Sequence, residues 1–169
     1  MAGAKTGATP ATVALTEAGV AFEVHPYRHD PGSELSFGLE AAAALGVHAA
    51  VVFKTLVVRV SGLTRHGGLA VALVPVAESL DLKAAARAFG QKKAVLAPAE
   101  DAQRASGYVT GGISPIGQRT ALPTLIDATA EPLDRIYVSG GRRGLDVSLA
   151  PGDLAAVTGA RFAAIAAGR

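Results

Sequence analysis

Between Val51 and Val60 the chain runs Val-Val-Phe-Lys-Thr-Leu-Val-Val-Arg-Val. A turn-rich segment, Ser61–Gly68, follows, and then a second apolar run, Leu69–Val76. β-Branched side chains are stiff at χ1 and suit a pleated surface, so the two runs predict strands and the segment between them a hairpin connection. Further strands are predicted in succession at Leu125–Ala128, Arg135–Ser139 and Leu145–Leu149, with shorter ones at Phe22–Val24, Lys93–Leu96 and Phe162–Ile165. The hairpin and the consecutive late strands argue against a purely parallel sheet.

Helices interleave with these strands. Thr9-Pro10 reads as an N-cap with proline at the first helical position, opening a helix to about Ala18 that Gly19 stops. Phe37–Leu45 is alanine-rich and ends at Gly46. Asp81 caps a helix through Phe89, Pro98 opens one to about Ala105, and Pro151–Val157 is the last. The pattern predicts one α+β domain over residues 9–169 with a mixed, curved sheet, preceded by a flexible leader, residues 1–8. At 169 residues, half of them apolar, the chain can build one substantial core.

The sequence holds no cysteine, which excludes disulfides, thiolate metal sites and a protein thiol nucleophile. No apolar stretch has the length of a membrane span, and the N-terminus lacks the apolar core of a secretory signal. A cytoplasmic protein with no membrane partner is expected. His25 and His29 are four apart, but Pro26 stands between them and no glutamate occupies the zincin position. His48 and His66 are isolated. No metal site and no cofactor are expected.

Gly111-Gly112-Ile113-Ser114-Pro115-Ile116-Gly117-Gln118 holds three glycines and a proline in eight residues. Such a segment either aims backbone N–H groups at an anion or a polarised carbonyl oxygen, or is a surface turn with a rigid exit. It lacks the Gly-Lys-Ser/Thr ending of a phosphate loop, and Ile116 stands where a nucleophile elbow needs its second glycine. A Ser114–His29–Asp30 triad can be drawn, but nearly any sequence offers such a set. Strand alternation puts Lys54 on the face of Leu56, Val58 and Val60, where an amine either reaches solvent near the strand end or lines a cleft and holds an anion. Ser139–Gly144 joins two late strands, either as a hairpin with a charged tip or as a close approach for a ligand. Six basic residues between Lys83 and Arg119 face two acids, and Arg142 and Arg143 add a pair. This distribution suits a polyanion or an ordinary solvated face.

Taken in order and at their spacings, several of these segments carry a specific likeness. They are His29-Asp30-Pro31, Phe53-Lys54-Thr55-Leu56, Leu80-Asp81-Leu82-Lys83, Ser106-Gly107-Tyr108, the Gly111–Gln118 run and Ile136–Gly141. Together they resemble the bacterial YbaK-type Cys-tRNA(Pro) deacylases, relatives of the editing domain inserted in prolyl-tRNA synthetase. The resemblance implies a mixed sheet curled into a partly open barrel with surrounding helices. It implies removal of cysteine from mischarged Cys-tRNA(Pro), and from Cys-tRNA(Cys), without a protein nucleophile: the substrate's thiol attacks its own ester, and the cysteine leaves as a thiolactone. It further implies prolyl-tRNA synthetase as partner in a ternary complex. The residue roles that follow from it are Lys54 as anchor for the tRNA 3′ end or the substrate's polar groups, and Gly111 with Gly112 as the loop that meets the ester carbonyl through backbone N–H. Tyr27 and Ser139 would hold the aminoacyl group, with His29, Asp30, Phe53, Ser114, Pro115 and Asp146 as further substrate contacts. Lys83, Arg87, Lys92, Lys93, Arg142 and Arg143 would meet tRNA. The loop Pro31–Phe37 departs from the usual sequence, as does Gly-Arg-Arg-Gly at 141–144. A deacylase for another small amino acid such as alanine, and a non-catalytic module binding tRNA or a synthetase, are the alternatives.

Overall fold

The computed structural model describes residues 8–168, so most of the leader expected at residues 1–8 lies outside the described residues. In chain order the elements are α1 (Pro10–Glu17), β1 (Glu23–Pro26), α2 (Phe37–Leu45), β2 (Phe53–Val60), β3 (Leu69–Pro75), β4 (Ser79–Leu80), α3 (Leu82–Ala88) and β5 (Ala94–Leu96). There follow α4 (Ala99–Ser106), β6 (Thr124–Asp127), β7 (Ile136–Arg142), β8 (Leu145–Leu149), α5 (Pro151–Thr158), β9 (Arg161–Ala163) and β10 (Ala166–Ala167). The caps are those the sequence encodes. The Thr9 hydroxyl accepts from Thr12 N–H in a capping box, Asp81 accepts from Ala84 N–H, and Gly46 closes α2 in the left-handed conformation.

Five strands form one sheet in the order β5-β2-β3-β6-β9 and three another in the order β1-β8-β7. The β2–β3 hairpin is antiparallel, whereas β3–β6 and β6–β9 are parallel, so the sheet is mixed. The two sheets curl around one core, and among the described residues their backbones are joined by one isolated parallel bridge, Val52 to Tyr137, which leaves the barrel open. Phe53, Val57, Val71 and Leu73 from one sheet meet Ile136, Val138, Val147 and Leu149 from the other, with Leu15 and Leu154 supplied by helices. The opposite face of the large sheet is also covered. Val58, Val60 and Ala70 pack beneath Ala86 of α3, and Ala72, Val74 and Leu125 beneath Ala85 and Ile165. Both faces of β2 are therefore apolar, which is why its sequence reads as a near-continuous hydrophobic run.

Some boundaries differ from expectation. The first strand lies at Glu23–Pro26 rather than Phe22–Val24, where it pairs with β8. β7 continues through a bulge to Arg142, so the turn is only Arg143-Gly144, not all of Ser139–Gly144. The segment predicted as one strand, Phe162–Ile165, is split into β9 and β10 around a carboxylate. Fully buried Asp127 accepts hydrogen bonds from the N–H groups of Ile165 (2.9 Å) and Ala166 (2.8 Å), and from the N–H and hydroxyl of Thr129. Burial pushes its pKa up, but these donors outweigh it and hold the carboxyl below its ordinary value. Among the described residues no helix is long and apolar enough to cross a membrane.

Candidate active site

The barrel opens where β2 lacks a neighbour. β5 pairs with β2 only from Val58 to Val60, and the last contact beyond it is Ala97 N–H donating to the Val57 carbonyl. Val76 N–H donates to the Val52 carbonyl on the β3 side. Backbone groups alternate sides along an antiparallel strand, so the Lys54 backbone faces β3 and the Thr55 backbone faces the unpaired edge. A cavity of about 360 Å³ lies at this edge. It is lined by Lys54 and Thr55 of β2, Tyr27 after β1, Gly111 of the loop after α4, Ser139 of β7 and Asp146 of β8. Ser139 and Asp146 are cross-strand partners, which places both side chains on one face of the β7–β8 pair. Phe53 also lines the cavity and packs into the core.

Three polar groups here lack ordinary partners. The Lys54 side chain is half-buried, and its ammonium makes no hydrogen bond or ion pair among the described residues. Desolvation lowers its pKa, opposed in part by the charge of Glu78. Thr55 Oγ1 is buried and has no hydrogen-bond partner among the described residues. An orphaned buried hydroxyl costs about 1–3 kcal/mol, which a ligand could recover. Asp146 is buried, and desolvation pushes its carboxyl up to about 7. Tyr27 is raised to about 12, by burial first and by the neighbouring Asp146 charge second.

Gly111 sits in a turn closed by Gly112 N–H to the Val109 carbonyl (2.9 Å), with Gly111 at φ +87°. That is the position where a type II turn needs a left-handed residue. Thr110 is pinned on both sides: its N–H donates to Gln103 Oε1 (2.8 Å) and its carbonyl accepts from Arg143 Nε (2.9 Å). A trans peptide sets N–H opposite C=O, so the Gly111 N–H points away from Arg143. It has no hydrogen-bond partner among the described residues.

The remainder of the glycine–proline run turns inward. Gly112 does not line the cavity. Its N–H is spent on Val109, and a Cβ there would lie 2.7 Å from Arg142 Cα. Ser114 is fully buried outside the cavity, with its hydroxyl accepting from Ile116 N–H, and Pro115 is buried beside it. Tyr108 holds this stretch through its hydroxyl, which donates to the Ile116 carbonyl (2.6 Å), and Gly117 passes against Pro10 of α1.

His29 and Asp30 lie in a second cavity of about 300 Å³, which shares Ser36 and Phe37 with the first. His29 Nδ1 is 2.7 Å from Glu40 Oε1, and Asp30 N–H donates to Glu40 Oε2. The Ser114, His29 and Asp30 side chains therefore form no triad, and no hydroxyl lining the first cavity is bonded to a histidine among the described residues. Arg143 lines the second cavity, while Lys83, Arg87, Lys92 and Lys93 are exposed on α3 and the segment after it, away from both. Arg142 is exposed on β7. Thr55, Thr110 and Phe37 were not singled out from sequence. Threonine at a strand position and phenylalanine at a helix start read as ordinary structural choices, and only the fold brings them to a cavity.

Residues 38–157 match the aminoacyl-tRNA editing domain family. A protein of Enterococcus faecalis, EbsC, described as a candidate Cys-tRNA(Pro)/Cys-tRNA(Cys) deacylase, is 39% identical over 124 residues, 73% of either chain. Among solved structures, a candidate trans-editing enzyme for prolyl-tRNA synthetase superposes with a TM-score of 0.79 at 26% identity, covering 94% of this chain and 96% of the other. A scaffold used for computational epitope grafting superposes with a TM-score of 0.80 at 25% identity, covering 95% and 96%.

Proposed function

This chain belongs to the aminoacyl-tRNA editing domain family, and from that premise we propose that it removes cysteine from mischarged Cys-tRNA(Pro), and from Cys-tRNA(Cys), acting in trans. The observation that carries the reading is the meeting, in one cavity, of the unpaired Lys54 ammonium and the free Gly111 N–H, in a chain without a cysteine of its own.

In this reading the substrate supplies the nucleophile. The thiol sulfur attacks the ester carbonyl carbon, a C–S bond forms, and the carbonyl oxygen becomes an oxyanion facing the Gly111 N–H. The C–O bond to the ribose then breaks, the ribose oxygen takes up the proton the thiol has lost, and the thiolactone departs to be hydrolysed in water. The protein contributes proximity and preorganised donors, which are large terms in catalysis. A cationic Lys54 near the sulfur would favour the thiolate, because a neighbouring ammonium lowers a thiol pKa. Asp146, in its charged form, would receive the substrate's α-ammonium, with Tyr27 and Ser139 shaping the wall around it. Thr55 Oγ1 would gain the partner it lacks. Exposed Lys83, Arg87, Lys92, Lys93 and Arg142 offer a basic approach for the tRNA body, and prolyl-tRNA synthetase would complete a ternary complex that selects the tRNA.

The test is deacylation of Cys-tRNA(Pro) beside Ala-tRNA(Pro) and Ser-tRNA(Pro). Fast loss of cysteine alone is expected. Equal loss of alanine would remove the requirement for a substrate thiol, and no turnover of any ester would leave only a binding module.

A further inference from the structure

The two cavities meet at one wall, Ser36 and Phe37. An ester carbonyl held at Gly111 in the first cavity is bonded to a ribose, and that ribose carries a base and a 5′-phosphate which the first cavity need not enclose. The second cavity is the adjoining space, and its volume of about 300 Å³ is at the lower end of small-ligand sites.

Its lining combines stacking faces with a cation. Three planar groups gather there. The Arg143 guanidinium carbon lies 5.1 Å from the Phe37 ring centroid, and the His29 ring centroid lies 5.6 Å from it. Aromatic rings and guanidinium planes are the surfaces on which unpaired bases stack. Phe37 is 38% exposed and Leu35, also lining this cavity, is 50% exposed. Two of the chain's exposed large apolar side chains therefore stand at one opening. Arg143 is held by its Nε–H bond to the Thr110 carbonyl, so its terminal nitrogens are presented in a fixed plane to a phosphate. Glu40 fixes the His29 ring through Nδ1 and leaves Nε2 as the free nitrogen.

We propose that the Leu35–Phe37–Arg143–His29 cavity binds the terminal nucleotide of a single-stranded RNA 3′ end, its base stacked on the Phe37–Arg143 pair. The proposal rests on the tRNA-editing reading for the choice of ligand. It assigns the departing loop Pro31–Phe37 to recognition of the nucleotide rather than of the amino acid.

The experiment is a thermodynamic cycle on binding. Affinity for an uncharged acceptor-stem RNA hairpin ending in CCA is compared with that for the same hairpin lacking its terminal adenosine, using the full chain and its Phe37→Leu and Phe37→Trp variants. In the unaltered protein, loss of the adenosine should weaken binding roughly tenfold. In Phe37→Leu the loss should make little difference, and in Phe37→Trp, which keeps a stacking face, it should again be roughly tenfold. An equal penalty in the unaltered protein and Phe37→Leu, or no penalty in the unaltered protein, would overturn the proposal. Deacylation of Cys-tRNA(Pro) by the unaltered protein is measured in parallel: activity without coupling rejects this site alone, whereas coupling without activity retains the site and rejects the editing reaction.

Discussion

The Phe37 ring lies directly against Gly111: a Cβ on Gly111 would come within 2.7 Å of ring carbon Cε1. Gly111 also holds φ at +87°, where a side chain is strained by about 1–2 kcal/mol. Gly111→Ala is therefore expected to destabilise the fold by roughly that amount and to push Phe37 away from the cavity wall. Deacylation should fall at least tenfold. Combining it with Phe37→Ala should relieve the clash but not the backbone strain, so the two changes should not be additive in thermal unfolding.

The Lys54 ammonium is held at a structural disadvantage. Its folded pKa is lowered by desolvation, so between that value and the unfolded one the unfolded chain binds more protons, and stability rises with pH across that window. At neutral pH the charge opposes folding. Lys54→Met should abolish deacylation while leaving thermal stability equal or higher. A variant that keeps full activity would remove Lys54 from the site.

Thr55→Val replaces an orphaned buried hydroxyl by a methyl group of similar shape. If the hydroxyl serves substrate, kcat/KM should fall about tenfold, the worth of one hydrogen bond to a polar ligand, while stability rises by about 1 kcal/mol. Denaturant unfolding and single-turnover kinetics on the same preparation separate the two effects.

Burial pushes the Asp146 carboxyl up to about 7 in the folded chain, above its ordinary value. The folded state therefore binds more protons between the two values, so stability is greatest below the unfolded pKa and declines as pH rises toward 7. Asp146→Asn should flatten this dependence. It should also remove an ionisation near pH 7 from the kcat/KM profile, because the neutral amide cannot gain the charge that holds an ammonium.

The hairpin, the helix caps and the mixed character of the sheet were legible in the sequence because each depends on neighbours along the chain: β-branched runs, Thr9-Pro10, Asp81, Gly46. The site was legible only in part. Lys54 and Gly111 both line the cavity, but periodicity could not show that β2 loses its partner beyond Val57, which is what opens it. Gly112, Ser114 and Pro115 share the motif with Gly111 yet face Arg142 and the core, since one turn reverses the direction of the chain between them. Phe37 gains its place from the approach of Gly111 and Arg143, both far away in sequence.

The Asp127 carboxylate makes the large sheet depend on the segment at Ile165 and Ala166. Two of its donors, Ile165 N–H and Ala166 N–H, lie 38 and 39 residues further along the chain. Without them, β6 would bury the Asp127 carboxylate short of two hydrogen bonds. Premature termination before residue 165 should therefore yield a polypeptide that quality-control proteases clear, rather than a shortened domain.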